Sequence, residues 1–250
     1  NEVQSQEKHF VVVLDAGHGG HDSGNRGNGY YEKKIALSIA LKIGKILEKR
    51  KDFKIIYTRK TDVFVDLIER ANIANKADAD LFISIHCDAF TSSKAYGAGT
   101  FVLGLHENER NFKIAQKENA VIFLEKDYEK KYDGFNPNDP ESVISLILMQ
   151  EKYLDQSIDA ASTIQKSFVK NLDRKDRTVK QAGFIVLKYT YMPSVLVETG
   201  FLTNPSEGSY LNSSKGQTNM ANAISKAIIN YKNNRAASFE NNNIKTQFTS

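Results

Sequence analysis

FVVVLDAGHGGHDSGNRGNG, residues 10–29, decides the fold. Five apolar residues in an unbroken run read as a buried strand, and the abrupt change to Asp, Gly, His and Asn reads as a long loop leaving its carboxyl end. Beyond the loop the period changes. Ile35, Ile39, Ile43, Ile46 and Leu47 recur at three and four, one face of a helix running from Tyr31 to about Arg50. FKIIYTR at 53–59 reads as a second strand, 64–77 as a second helix, DLFISIH at 80–86 as a third strand and Gly99 to Leu105 as a fourth. Strand and helix in alternation predict an α/β fold with a mainly parallel sheet.

The rhythm then breaks. From about Glu107 to Asn171 the sequence is helix-like, with Ile144, Ile147, Leu148, Leu154, Ile158, Ala161, Ile164 and Phe168 along one stripe. DGFNPNDPES at 133–142 holds two of the four prolines and separates two helical pieces. An excursion of this length inside an α/β domain reads as a helical insertion, 107–171, that builds or covers a cleft. GFIVLK at 183–188 and SVLVE at 194–198 restore the strands, and Gln217 to Lys232 closes with a helix. The expected organisation is a polar N-terminal extension at 1–9, one catalytic domain over 10–232 and an Asn-rich tail at 233–250 without periodicity, expected to be disordered or a linker.

Composition narrows the function classes. With 34 basic and 30 acidic residues interspersed, the net charge of +4 argues against nucleic acid as the partner but suits an anionic polymer such as a cell wall. A single cysteine, Cys87, excludes an intrachain disulfide. No apolar run reaches the roughly 18 residues of a membrane span, so no transmembrane segment is expected. The chain starts at Asn1, as a secreted or periplasmic protein does once a signal peptide is removed. Nothing in the sequence calls for an oligomer, and a monomer is the default.

Catalytic zinc takes three protein ligands from His, Glu, Asp or Cys and leaves one position open. His18 follows the first strand, between glycines, and His86 ends another. In open α/β sheets, sites gather at the carboxyl ends of strands, so both histidines fall where a site belongs. Glu32, opening the first helix, reaches the same edge and completes a set of three. His21 and Cys87 are rival ligands. Adjacent strand residues face opposite sides, which turns Cys87 toward the core if His86 faces the metal. Glu198 ends the strand PSVLV on the same rim, where a carboxylate can take a proton from metal-activated water and return it to a leaving amine. An N-capping or loop role fits its spacing equally well.

LDAGHGG at 14–20, YYEKKIAL at 30–37, SIHCDAF at 84–90 and PSVLVETGFLTN at 193–204 resemble, in order, the motifs of the zinc-dependent N-acetylmuramoyl-L-alanine amidases of amidase type 3. The resemblance covers most of residues 10–232 and implies a six-stranded mixed sheet flanked by helices. It implies one zinc ion on His18, Glu32 and His86, catalysis by Glu198, and hydrolysis of the amide joining N-acetylmuramic acid to L-alanine in peptidoglycan. Cys87 departs from the small residue usual there, and His21 from a common Lys. The insertion is similar to the regulatory helix of cell-division amidases, which implies that Glu118, in AQKENAVIFL, occupies the fourth zinc position until an activator protein displaces the helix. Glu118 also shares a helical face with Ile114, Val121 and Ile122, where a carboxylate is costly without a cation.

Three other readings use the same residues. A zinc peptidase acting on ordinary peptides needs the same ligands. A non-catalytic peptidoglycan-binding relative would have lost them, and all four motif residues are present. A cysteine hydrolase would pair Cys87 with His86, against the outward and inward alternation of a strand.

Overall fold

The structure, a computed structural model, describes residues 9–105, 108–142 and 151–247. β1 (Phe10–Ala16), β4 (Phe53–Tyr57), β5 (Leu81–Asp88), β6 (Ala98–Leu103), β7 (Asp176–Ala182) and β8 (Ser194–Phe201) form one sheet in the order β4-β1-β5-β8-β6-β7. β4, β1, β5 and β8 are mutually parallel. β6 runs antiparallel to β8 and carries β7 parallel to itself. This is the mixed, mainly parallel α/β sheet expected. β2 (Arg26–Gly27) and β3 (Tyr30–Tyr31) make a small hairpin in the loop after β1.

Strand alternation divides the interior in two. On β5, Leu81, Ile83, Ile85 and Cys87 join the core beneath α1 (Glu32–Leu47), α5 (Leu154–Leu172) and α8 (Ser214–Gln247). Phe82 joins the opposite core, with Phe101, Phe184 and Leu196, beneath α2 (Leu67–Lys76), α3 (Glu109–Asn119) and α6 (Ile185–Lys188). α1 forms because Ile35, Ile39, Ile43 and Leu47 make one continuous buried stripe. α7 (Pro205–Asn212) starts where the Asn204 side chain accepts from the Ser206 and Glu207 N–H groups, with proline in the first turn. α4 (Tyr128–Lys131) is a single turn within the excursion.

Three expectations change. GFIVLK is not a strand: β7 ends at Ala182, and Ile185–Lys188 is a helical turn. An apolar run buried all round has no period to separate strand from helix, while the real strand, DRTVKQA, lies at the sheet edge and is half-exposed and polar. The helical stretch to Asn171 is not all excursion, because α5 packs beneath the sheet and links β6 to β7, the crossover that a parallel pair requires. The stripe residues Ile144, Ile147 and Leu148 lie outside the described residues. The tail is helical as far as Gln247. It has neither glycine nor proline after Gly216, and extending a packed helix incurs no new nucleation.

Ile39 is fully buried in the first core. Ile39→Ala is expected to lower stability by about 2–5 kcal/mol, read as a shift in the urea midpoint at unchanged slope. Lys45→Ala, on the exposed face of the same helix, is expected to stay within about 0.5 kcal/mol of wild type.

Candidate metal centre

His18, Glu32, His86 and Glu118 converge at the carboxyl ends of β1 and β5, each offering one donor atom within 4.8 Å of all the others. All four are buried. His18 leaves β1 in the left-handed conformation, φ 61°, which turns its ring back over the sheet edge. Two glycines make room for the cluster. A Cβ on Gly17 would lie 2.5 Å from the His86 ring, and one on Gly24, itself at φ +61°, would lie 2.6 Å from His18 and 2.7 Å from Glu32. Glu32, in the first turn of α1, points its carboxylate into the corner. Glu118 arrives on the last turn of α3.

The separations fit a shared cation. His18 Nε2 lies 3.2 Å from Glu32 Oε2 and 3.0 Å from Glu118 Oε2, and His86 Nδ1 lies 3.0 Å from Glu118 Oε2. Zinc bonds of about 2.0–2.1 Å in a tetrahedron would set donors about 3.3 Å apart. His18 Nε2 and Glu118 Oε2, although close, have no hydrogen-bond partner. Two buried polar atoms left unpartnered at a common point are what a metal site looks like to its ligands, while His86 Nδ1 also reaches Glu32 Oε1 at 3.0 Å. Two imidazoles and two carboxylates suit zinc, and without Glu118 the remaining three leave a position open.

Each donor is held from behind. His18 Nδ1 pairs with Asp22 Oδ2 at 2.6 Å, which directs Nε2 to the centre. Glu32 accepts from the backbone N–H groups of Asn25, at 2.7 Å, and Cys87, at 2.8 Å. The Asn25 side chain bridges to the Cys87 carbonyl and to Glu118. His86 Nε2 meets Ser84 Oγ at 3.1 Å, and Ser84 donates to Asp15. Beneath lies Arg70, almost wholly inaccessible, which donates to Asp15 and to the carbonyls of Ala16 and His18. Arg59 holds the Ala16 and Gly17 carbonyls. Burial alone would raise the Asp15 carboxyl, but the Arg70 charge and the hydrogen bonds from Ser84, Thr58 and Arg70 outweigh it and bring it below its ordinary value.

Glu198 does not end its strand as expected: β8 runs three residues further, to Phe201, and Glu198 lies opposite His86 in the ladder. It is buried and neither carboxylate oxygen has a partner. Burial, and then the charges of Asp88, Glu118 and Glu32, push its carboxyl well above the usual range. The structure thus gathers the four ligand candidates and sets Glu198 on the neighbouring strand. His21 stays exposed, stacked on Phe64 at 4.1 Å, and Cys87 faces the first core, away from His86. Asp22, Asn25, Asp15 and Arg70 carry no such signal in the sequence, although the i, i+4 spacing of Asp22 from His18 is a hint.

Residues 12–230 match the family Amidase_3, N-acetylmuramoyl-L-alanine amidase. The chain is 36% identical over 228 residues to the N-acetylmuramoyl-L-alanine amidase AmiA of Escherichia coli, covering 88% of this chain and 75% of AmiA. Its fold is similar to the crystal structure of an N-acetylmuramoyl-L-alanine amidase from Clostridium difficile 630, with TM-score 0.69 and 28% identity over 90% of this chain and 98% of that one. The CwlD amidase of Clostridioides difficile, solved in complex with the GerS lipoprotein, is similar at TM-score 0.66 and 25% identity, over 90% of this chain and 99% of that one.

Removing the charge that balances Arg70 is expected to be felt throughout this corner. Asp15→Asn should cost about 3–5 kcal/mol of stability, as an uncompensated buried guanidinium does, and calorimetric unfolding beside the wild type measures it.

Proposed function

Because this chain belongs to the N-acetylmuramoyl-L-alanine amidases and so is a hydrolase of the peptidoglycan amide, we propose that it works with one zinc ion held by His18, Glu32 and His86. The observation that carries this reading is the buried convergence of four donors, two of them without hydrogen-bond partners, beside a partnerless Glu198. Zinc in such a site polarises the scissile carbonyl and acidifies water toward neutrality. Glu198 handles the protons: neither oxygen is engaged, so the carboxylate takes one from the attacking water and hands it to the nitrogen that leaves with L-alanine. Asp22 and Ser84 fix the two imidazoles, and Arg70 and Arg59 hold the loop that bears His18, so little rearrangement accompanies the reaction.

Glu118 closes the site in the resting enzyme. Its carboxylate stands where a scissile carbonyl or water must come, on a helix that belongs to the excursion. The neighbouring Asn119 bonds the Gly183 carbonyl and the Ile185 N–H, and Glu125 accepts from the Leu67 N–H and Tyr132, so the excursion is fastened at buried points. An activator protein that binds the displaced form would open the site, since a ligand shifts such an equilibrium only through its preference for one state. CwlD, solved with a lipoprotein partner, is a precedent for a partnered amidase. The reaction serves cell-wall remodelling or daughter-cell separation. It takes place outside the cytoplasmic membrane, in the periplasm or after secretion, where the polymer lies. No helix among the described residues is long and apolar enough to cross a membrane.

Chelation is expected to abolish release of stem peptides from purified peptidoglycan, and added zinc to restore it. Glu198→Gln should bind one zinc per chain yet lose about 10²–10⁴-fold in rate; a variant that still cuts at the wild-type rate removes Glu198 from the mechanism. Glu118→Ala, and separately Asn119→Ala, are expected to raise the basal rate of muropeptide release at least tenfold without activator, and unchanged rates in both would count against the closed state.

A further inference from the structure

A second concave site lies beside Glu198. Its floor is Gly99, which pairs with Glu198 across β6 and β8, and its walls carry Asp88, Arg110 from α3, and Arg177 and Lys180 from β7. On a regular strand Arg177 and Lys180, three apart, would face opposite sides of the sheet. The β6–β7 ladder slips by one residue between the pairs Ala98–Asp176 and Thr100–Val179, and Thr178 sits there at φ 62°. This bulge turns both cations to one face, at the expense of holding a β-branched residue in the left-handed region. Strain of this kind, kept where two charges are thereby brought together, marks a built feature.

The cations are oriented without being neutralised. The Arg177 guanidinium lies 4.9 Å from the centre of the Phe201 ring, and Arg110 lies 5.8 Å from the same ring and 4.9 Å from that of Phe90. Rings against the guanidinium planes leave their N–H edges available for hydrogen bonds, one of which Arg177 gives to the Tyr96 carbonyl. Lys180 donates to the Arg177 carbonyl and lies over Phe101. Among the described residues none of the three forms an ion pair. Burial, and then the repulsion of Arg177 and Arg110, lowers the Lys180 ammonium to about 8. Asp88 and Glu198 face the same cleft, but two carboxylates do not balance three cations.

Position identifies the anion. His86 pairs with Glu198, Glu198 pairs with Gly99, and a Cβ on Gly99 would lie 3.4 Å from Lys180 Nζ. Strands are about 4.8 Å apart, so the ammonium is roughly 10 Å across the sheet from the His86 backbone. An extended peptide covers about 3.3–3.6 Å per residue. A carboxylate reaching these cations is therefore two to three residues from the scissile amide. The sugar side of that amide is uncharged, because the lactyl carboxyl is consumed in it, whereas the peptide side carries free acids. We propose that Arg177 and Lys180 form a subsite for a free carboxylate of the stem peptide, with Arg110 closing it while α3 is docked. This rests on the amidase reading above and adds the part of the substrate that the enzyme selects.

The test uses two muramoyl tetrapeptides that differ only in a free carboxylate or a carboxamide on the second residue. They are hydrolysed by the full zinc-loaded chain carrying Glu118→Ala, with and without Arg177→Gln, Lys180→Gln or both. The acid is expected to be preferred at least tenfold in kcat/KM, through KM, and each substitution to erode that ratio toward one while kcat stays within about twofold. Equal use of both substrates by the parent protein, or an equal rise in KM for both in the variants, overturns the subsite. Cleavage of neither substrate would count against the amidase reading alone. Calorimetric titration of the two free peptides then decides the subsite separately: tighter binding of the acid, lost in the double variant, supports it, and equal binding overturns it. Arg177→Lys and Lys180→Arg, which keep the charge, should retain most of the preference and control for folding.

Discussion

A buried carboxylate needs a positive charge within reach, and at the carboxyl edge of this sheet Glu32 and Glu118 share one corner with only two imidazoles. Two charges of positive sign must be supplied. Protons on His18 and His86 supply them, and so does one divalent cation, and the two solutions compete for the same nitrogen atoms. Everything nearby follows from that requirement. Glycines stand where a Cβ would intrude, backbone N–H groups point at Glu32, and Asp22 and Ser84 settle which nitrogen of each ring faces the centre.

A second balance supports the first. Arg70 and Asp15 are both buried, and the guanidinium spends its remaining donors on carbonyls at the end of β1. Such a pair adds little net stability over an apolar pair of similar size. It fixes the path of the backbone leaving the strand, and with it the strained conformation of His18. Packing energy comes instead from the two apolar cores, which the sheet keeps apart by strand alternation.

The α/β class and the placement of His18 and His86 at the carboxyl edge were legible from the sequence because each depends on local periodicity followed by an abrupt polar turn, whereas the strand of Glu198 runs on to Phe201. Glu118 was legible through its apolar helical face together with a family resemblance. What escaped depends on pairing between distant segments. β7 has no apolar run because it lies at the edge, and the run after it is buried as a helical turn fastened by Asn119. α5 carries the stripe of any amphipathic helix, and only the parallel pairing of β6 with β7 shows it to be a crossover. Arg70 is spaced like a solvated helix residue, and only the fold takes it to Asp15, 55 positions away.

Glu118 and Asn119 are consecutive on the last turn of α3, one turned to the donor corner and the other tied to the backbone after β7. Their backbones are shared, so moving the helix end carries both side chains away from their partners together. Slippage of the helix end would break interactions at both points and recover neither. In the proposed closed state, opening is then all-or-none, because the helix end leaves the corner only when Asn119 gives up both of its bonds.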